Sequence, residues 1–313
     1  MRTFGLQDIV TLFRHRSQVL SLDSIWQVTH GAPLGPLSML EYLNPGRGGY
    51  IGVTDGEKGA PSLLGQVHLD QGSSTAHLGY VMPAEAADSP ALNDLLDGLV
   101  QQAGCMGALR LLAEVEENSP VFLRLRRSGF SVYGWQRIWR LPLEPDPGEH
   151  LGHWEDCRSV DSVAIRNLYH SLVPPLIQRA DPLPGNLLHG LIYREGSEIM
   201  GYMAASYGPH GICLRPLVHP AAEDAPGLLA RLPFSYPPLL GRPVCLVVRT
   251  YQAWLEPALE QLGAEVAPRQ ALMVNHLARF QRAAVPAALR PLYEAGGVAD
   301  TTFPVAQINI NDN

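Results

Sequence analysis

Lysine is nearly missing from this chain: Lys58 stands alone among 23 basic residues, set against 30 acidic ones for a formal net charge of −7. No basic face is patterned, so nucleic acid is not an expected partner, and the arginine bias reads as codon usage. Cysteine is scarce as well. Cys105, Cys157, Cys213 and Cys245 form no Cys-x-x-Cys pair and read as buried thiols of a reducing compartment. No apolar run reaches the roughly 20 residues that span a bilayer. The opening Met1-Arg2-Thr3-Phe4-Gly5 lacks the apolar core of an export signal, so a cytoplasmic protein without membrane contact is expected. Gly-x-Ser-x-Gly, Walker and dinucleotide motifs are missing too, which removes support for hydrolase and nucleotide-triphosphate readings.

What remains is globular. The chain has 313 residues, 46% hydrophobic and 17% charged, with 27 Pro and 30 Gly, enough for two cores. Three prolines and two glycines crowd residues 141–152, as a linker should. The expected division is a first domain at 1–142, a linker at 143–152, a second domain at 153–281 and a C-terminal arm at 282–313.

Local patterns give the order of elements. Ile9, Leu12 and Phe13 mark a helix at 6–17, and a second helix is expected at 34–43. Strands at 49–54, 62–69 and 75–82, separated by Asp-Gly and Gly-Ser turns, predict an antiparallel meander. Leu92, Leu95, Leu96, Leu99 and Val100 keep helical spacing, then come a strand (108–115), a short helix opened by Pro120 (120–128) and a strand (130–141). After the linker the order recurs: helix 160–172, strands 190–194, 199–207 and 212–218, helix 225–232, strand 244–249, helix 252–262 and strand 269–277. One order used twice implies internal duplication. A further strand at 303–310 is expected in the arm.

This order, with the run Asn118-Ser-Pro-Val121 continuing to Gly129-Phe130, resembles the GCN5-related N-acetyltransferase family over residues 1–140, and more weakly over 151–280. The resemblance implies an α/β fold of two tandem acyl-CoA N-acyltransferase-like domains, each a central, mostly antiparallel twisted sheet flanked by helices. It also implies transfer of an acetyl or acyl group from acyl-CoA to a small-molecule or peptide amine, with the cofactor in the first half. Backbone groups of Tyr80, Val81 and Met82 would bind pantetheine and polarise the thioester, Ser89 and Ala91 would lie at the pyrophosphate, and Asn118 would open the flanking helix.

The chain departs from the family where the chemistry is concentrated. Leu125 occupies the place of the tyrosine that protonates the thiolate, so that general acid is missing, and Leu259 is its counterpart in the second half, where Gln252 takes the Asn118 place. Ala86, Ser89 and Ala91 replace the family's pyrophosphate-binding run, with Glu85 and Asp88 adding opposing charge. In the second half the same places hold Glu223, Pro226 and Leu228.

Candidate bases for an amine are Glu114, Glu116 and His77, although a strand-end Glu is more often a solvated rim residue and a lone His a satisfied core one. Arg124, Arg126 and Arg127 read first as a solvated helix face and second as a phosphate contact. Trp135 and Trp139 lie on one strand face, as a core or interface stripe. His150 and His153 lack a third ligand, so no metal is expected. Two functions follow: an acyltransferase, or a catalytically inactive ligand- or protein-binding module on the same fold. Oligomeric state has no sequence signal.

Overall fold

The computed structural model describes residues 1–31, 47–56, 61–70, 72–142, 153–183, 190–235 and 242–277. The expected helix at 34–43, the linker and the C-terminal arm with its strand lie outside them.

Each half begins with the same local device. In the first, β1 (Arg2–Thr3) leads through a 3-10 turn into α1 (Ile9–Arg14). Asp8 accepts from the Gly5 N–H at 2.8 Å and takes both Arg2 guanidinium nitrogens at 2.7 Å. In the second, Asp161 accepts from the Arg158 N–H at 2.8 Å and pairs with Arg194, just ahead of the helix that starts at Ser162. Such a carboxylate at the first turn satisfies amides that the helix leaves open.

From there the first half runs β2 (Leu20–Ser21), α2 (Ser24–His30), β3 (Arg47–Thr54), β4 (Leu63–Asp70), β5 (Thr75–Met82), α3 (Ala91–Cys105), β6 (Arg110–Glu116), α4 (Pro120–Arg127) and β7 (Ser131–Arg140). The second runs β8 (Glu155–Asp156), α5 (Ser162–Leu172), α6 (Pro175–Ala180), β9 (Gly190–Glu195), β10 (Glu198–Tyr207), β11 (Ile212–Val218), α7 (Ala225–Ala230), β12 (Val244–Arg249), α8 (Glu256–Gln261), β13 (Glu265–Val266) and β14 (Gln270–His276). Sequence periodicity anticipates the meanders and the longer helices; it misses α2, α6 and the two-residue strands.

The duplication is visible at the ends of α4 and α8. Gly129 and Gly263 take left-handed φ values of 86° and 73°. The next residue bonds back to Leu125 in one half and Leu259 in the other, the pattern of a glycine-terminated helix whose last apolar residue faces the core. Leu125 and Leu259 are completely buried. Both positions that the family resemblance assigns to a tyrosine are therefore core positions here.

The expected two sheets are one. Its strand order is β1-β3-β4-β5-β6-β14-β7-β12-β11-β10-β9-β8. β14, from the second half, lies antiparallel between β6 and β7 of the first, while β7 pairs on its other side with β12 of the second. The halves thus exchange their last strands, and residues Met1–Leu277 form one compact unit. β14 tolerates this because its centre, Ala271-Leu272-Met273, is buried on both faces, as an apolar run without alternation allows. Leu92, Leu95, Leu96 and Leu99 of α3 fill the first core, and Trp139 enters the second. Trp135 packs at the first, beneath Arg269. Cys157, Cys213 and Cys245 are buried, whereas Cys105 is exposed, correcting the expectation for that thiol.

The exchange predicts that residues 1–142 expressed alone will not fold cooperatively, since β6 and β7 lose the strand between them. Circular dichroism should show a broad, non-cooperative melt; a sharp transition from a monomer would contradict the shared sheet.

Candidate functional site

The two parallel strand pairs, β5 with β6 and β11 with β12, set the geometry of any site. Each is paired only at its start: Thr75–His77 with Arg110–Leu112, and Ile212–Leu214 with Val244–Leu246. Beyond these residues neither strand bonds to its parallel neighbour, and whatever enters must satisfy the freed backbone groups.

In the first half the chain itself enters. Leu20 and Ser21 pair antiparallel with Val81 and Tyr80. The Leu22 N–H donates to Gly79 O at 2.9 Å and its carbonyl accepts from the Glu114 N–H at 2.8 Å, bridging β5 to β6. Just before, Gln18 O accepts from the Ala84 N–H at 2.8 Å. Leu22 is 1% exposed, and Tyr80, Val81 and Met82 are completely buried. Fully burying one leucine stabilises by roughly 1.5–3 kcal/mol.

The loop after Pro83 is likewise satisfied from within. The N–H groups of Ala86, Ala87 and Ser89 donate to Pro83, Ala84 and Ala86. The Ala91 N–H donates to Ser89 Oγ at 3.3 Å, and Arg124 donates to the Asp88 carbonyl. Asn118 is exposed in the turn before α4, and Ser119, not Asn118, caps that helix by accepting from Val121.

In the second half a side chain takes the equivalent place. Gln252, 1% exposed, accepts from the Val218 N–H at 2.9 Å and donates to the Val218 carbonyl at 3.1 Å. The following loop is held by carboxylates: the Glu223 N–H donates to Glu195 at 2.8 Å and the Gly227 N–H to Asp224 at 3.0 Å. A diphosphate would have to displace both carboxylates.

Of the candidate bases, Glu116 is exposed. Glu114 Oε2 accepts from the Ser24 N–H at 2.9 Å and from Gln136 Nε2 at 3.0 Å, while Ser24 Oγ and Gln136 both donate to Gln270. This network ties α2 to β6, β14 and β7. Burial, then the nearby charge of Asp23, raises the Glu114 pKa, opposed by the Ser24 donors. Glu114 lines neither of the cavities described next, whereas His77 lines one.

Two cavities adjoin, sharing Asp181, Pro182, Leu183, Ser206 and Arg215; the larger lies where the halves meet, and the smaller is lined by residues of the second half. The smaller, about 240 Å³, opens beside the separated ends of β11 and β12 and is walled by Tyr169, Tyr202 and Tyr251. Arg249 and Asp181 form an ion pair on its wall. Burial alone would raise the Asp181 carboxyl, but Arg249 and Arg215 hold it below its ordinary value. The larger, about 590 Å³, is bordered by α2, by His68 and His77, and by Arg110.

The contact between α2 and the β10–β11 turn positions this space. His210 N–H donates to Thr29 O at 2.8 Å. A Cβ on Gly208 would lie 2.1 Å from the same oxygen, so only glycine permits the approach.

No protein-family model and no curated protein sequence matches this chain. Solved structures do. A GCN5-related N-acetyltransferase from Sphaerobacter thermophilus superposes with a TM-score of 0.54 at 16% identity, covering 88% of this chain and 94% of that one. The fold is that of the GCN5-related N-acetyltransferases. Two further structures overlap less well: a tandem GNAT protein from the clavulanic acid biosynthesis pathway (TM-score 0.48, 14% identity, 88% and 97% covered) and a GNAT-family acetyltransferase from Colwellia psychrerythraea (0.45, 12%, 88% and 99%). Within this acetyltransferase fold, no helix among the described residues is long and apolar enough to cross a membrane.

Two outcomes test these electrostatics. Because the folded-state pKa of Glu114 lies above its unfolded value, its ionised form costs stability at high pH, and the cost vanishes as pH falls through about 4.5. Glu114→Gln should therefore raise the unfolding free energy more at pH 8 than at pH 4, read by urea denaturation; the opposite pH trend would contradict the assignment. Asp181 behaves conversely, its stabilisation being present at neutral pH and lost as pH falls below the usual carboxylate range. Arg249→Met, leaving that carboxylate unpaired, should cost about 3 kcal/mol at pH 7, and a second change, Asp181→Asn, should recover part of the loss.

Proposed function

We propose that this protein is a non-catalytic binding module on the acetyltransferase fold. In this reading it takes a small carboxylate-bearing ligand in the smaller cavity, formed by the second half, and does not use acyl-CoA in the family's manner. One observation carries the reading: β2 (Leu20–Ser21) pairs with β5, and the next residue, Leu22, bonds to Gly79 of β5 and to Glu114 of β6, where the family resemblance puts pantetheine. The internally satisfied loops after Pro83 and Pro220 support it. Charge supports the ligand class. Arg249 neutralises Asp181, so Arg215 adds an uncompensated positive charge to a wall lined with tyrosines, as carboxylate recognition requires.

Acyl transfer to an amine is the second reading. It is favoured by the raised pKa of Glu114 beside the occupied wedge, since a base for an ammonium substrate needs that direction of shift. It requires residues 18–24 to leave before acyl-CoA enters.

Thermal-shift titration separates the two. A ligand at 100 times its Kd stabilises by roughly 2.7 kcal/mol. Millimolar acetyl-CoA should leave the melting temperature unchanged, whereas malonate or citrate should raise it in the native protein and not in Arg215→Met. A saturable shift with acetyl-CoA, or transfer of labelled acetyl to a polyamine or peptide amine, would establish the second reading instead.

A further inference from the structure

Asp23, His68 and His77 lie far apart in sequence and meet on the wall of the larger cavity. One ligand-capable atom from each falls within 4.8 Å of the other two. Asp23 caps α2, its Oδ1 accepting from the Trp26 N–H at 2.9 Å. That bond fixes the carboxylate and leaves Oδ2 at 3.4 Å from His68 Nε2. Two ligands about 2.0–2.2 Å from a tetrahedral ion stand roughly 3.3–3.6 Å apart, so this edge already has the spacing of a coordinated pair.

His68 and His77 are direct cross-strand partners on β4 and β5. Their rings lie 5.3 Å apart and 12° from parallel, held by backbone pairing that does not depend on either side chain. A carboxylate–imidazole ion pair accounts for Asp23 and His68 alone. The third group, stacked beside His68, shares their access to the cavity.

We propose that Asp23, His68 and His77 bind one divalent transition-metal ion of the zinc class. Two imidazoles and one carboxylate suit such an ion, and its remaining position opens toward the cavity. The Trp26 N–H is the outer contact that orients the carboxylate ligand. The proposal does not depend on any organic ligand in the cavity, and it departs from the expectation, drawn from His150 and His153, of no metal.

The test is calorimetric titration of the tag-free full chain with Zn²⁺, repeated with Co²⁺ while recording its visible absorption. One ion per chain should bind. His77→Ala and Asp23→Asn should each weaken binding at least about tenfold, and His153→Ala should leave it unchanged. Asparagine still caps α2, so Asp23→Asn should keep the native circular dichroism; if it does not, His77→Ala alone decides. Failure to take up Zn²⁺, or uptake unaltered in His77→Ala, would overturn the site.

Discussion

A parallel strand pair that separates halfway along must have its loose backbone groups met by something. In this protein that something is the chain's own segment 18–24. Gln18 and Leu22 bond to Ala84 and Gly79, Leu20 and Ser21 lie in register with Val81 and Tyr80, and Leu22 reaches across to Glu114. The segment ends in Asp23 and Ser24, which start α2 and anchor it to Glu114. Closing the wedge and placing α2 are thus one structural event, and α2 in turn walls the larger cavity.

Strand exchange brings the second half into the same arrangement. With β14 between β6 and β7, Gln270 joins Ser24 and Gln136 in the network around Glu114, so the wedge of the first half is braced by the last strand of the second. At the corresponding opening between β11 and β12 the Gln252 amide meets both backbone groups of Val218, and the smaller cavity opens beside the separated strands. The larger polar space lies between the halves, where Asp181 and Arg215 share a cavity lining with His68 and His77.

Most of the architecture was legible in the sequence because it rests on short-range pattern. Alternation marked the meanders, the leucines of α3 marked its buried face, and Gly129-Phe130 marked a helix end whose geometry the structure bears out. The resemblance correctly gave the fold. The wedge was not legible, since Val19-Leu20-Ser21-Leu22 is too short for a period and is made a strand only by partners some 60 residues away. Nor was the exchange, because β14 reads the same whichever half it joins. Asp23, His68 and His77 share no motif spacing; only the cross-strand register of β4 and β5 unites them. His77 was singled out for its residue type, and its neighbours came from topology alone.

Hydrogen exchange of the peptide covering residues 18–24 tests the central claim most directly. If the segment is a bonded strand in the native state, the Leu22 amide should be protected to the same degree as β5 amides, and excess acetyl-CoA should not change it. Rapid, loop-like exchange at Leu22, or loss of its protection on adding acetyl-CoA, would contradict the account and return the wedge to a cofactor.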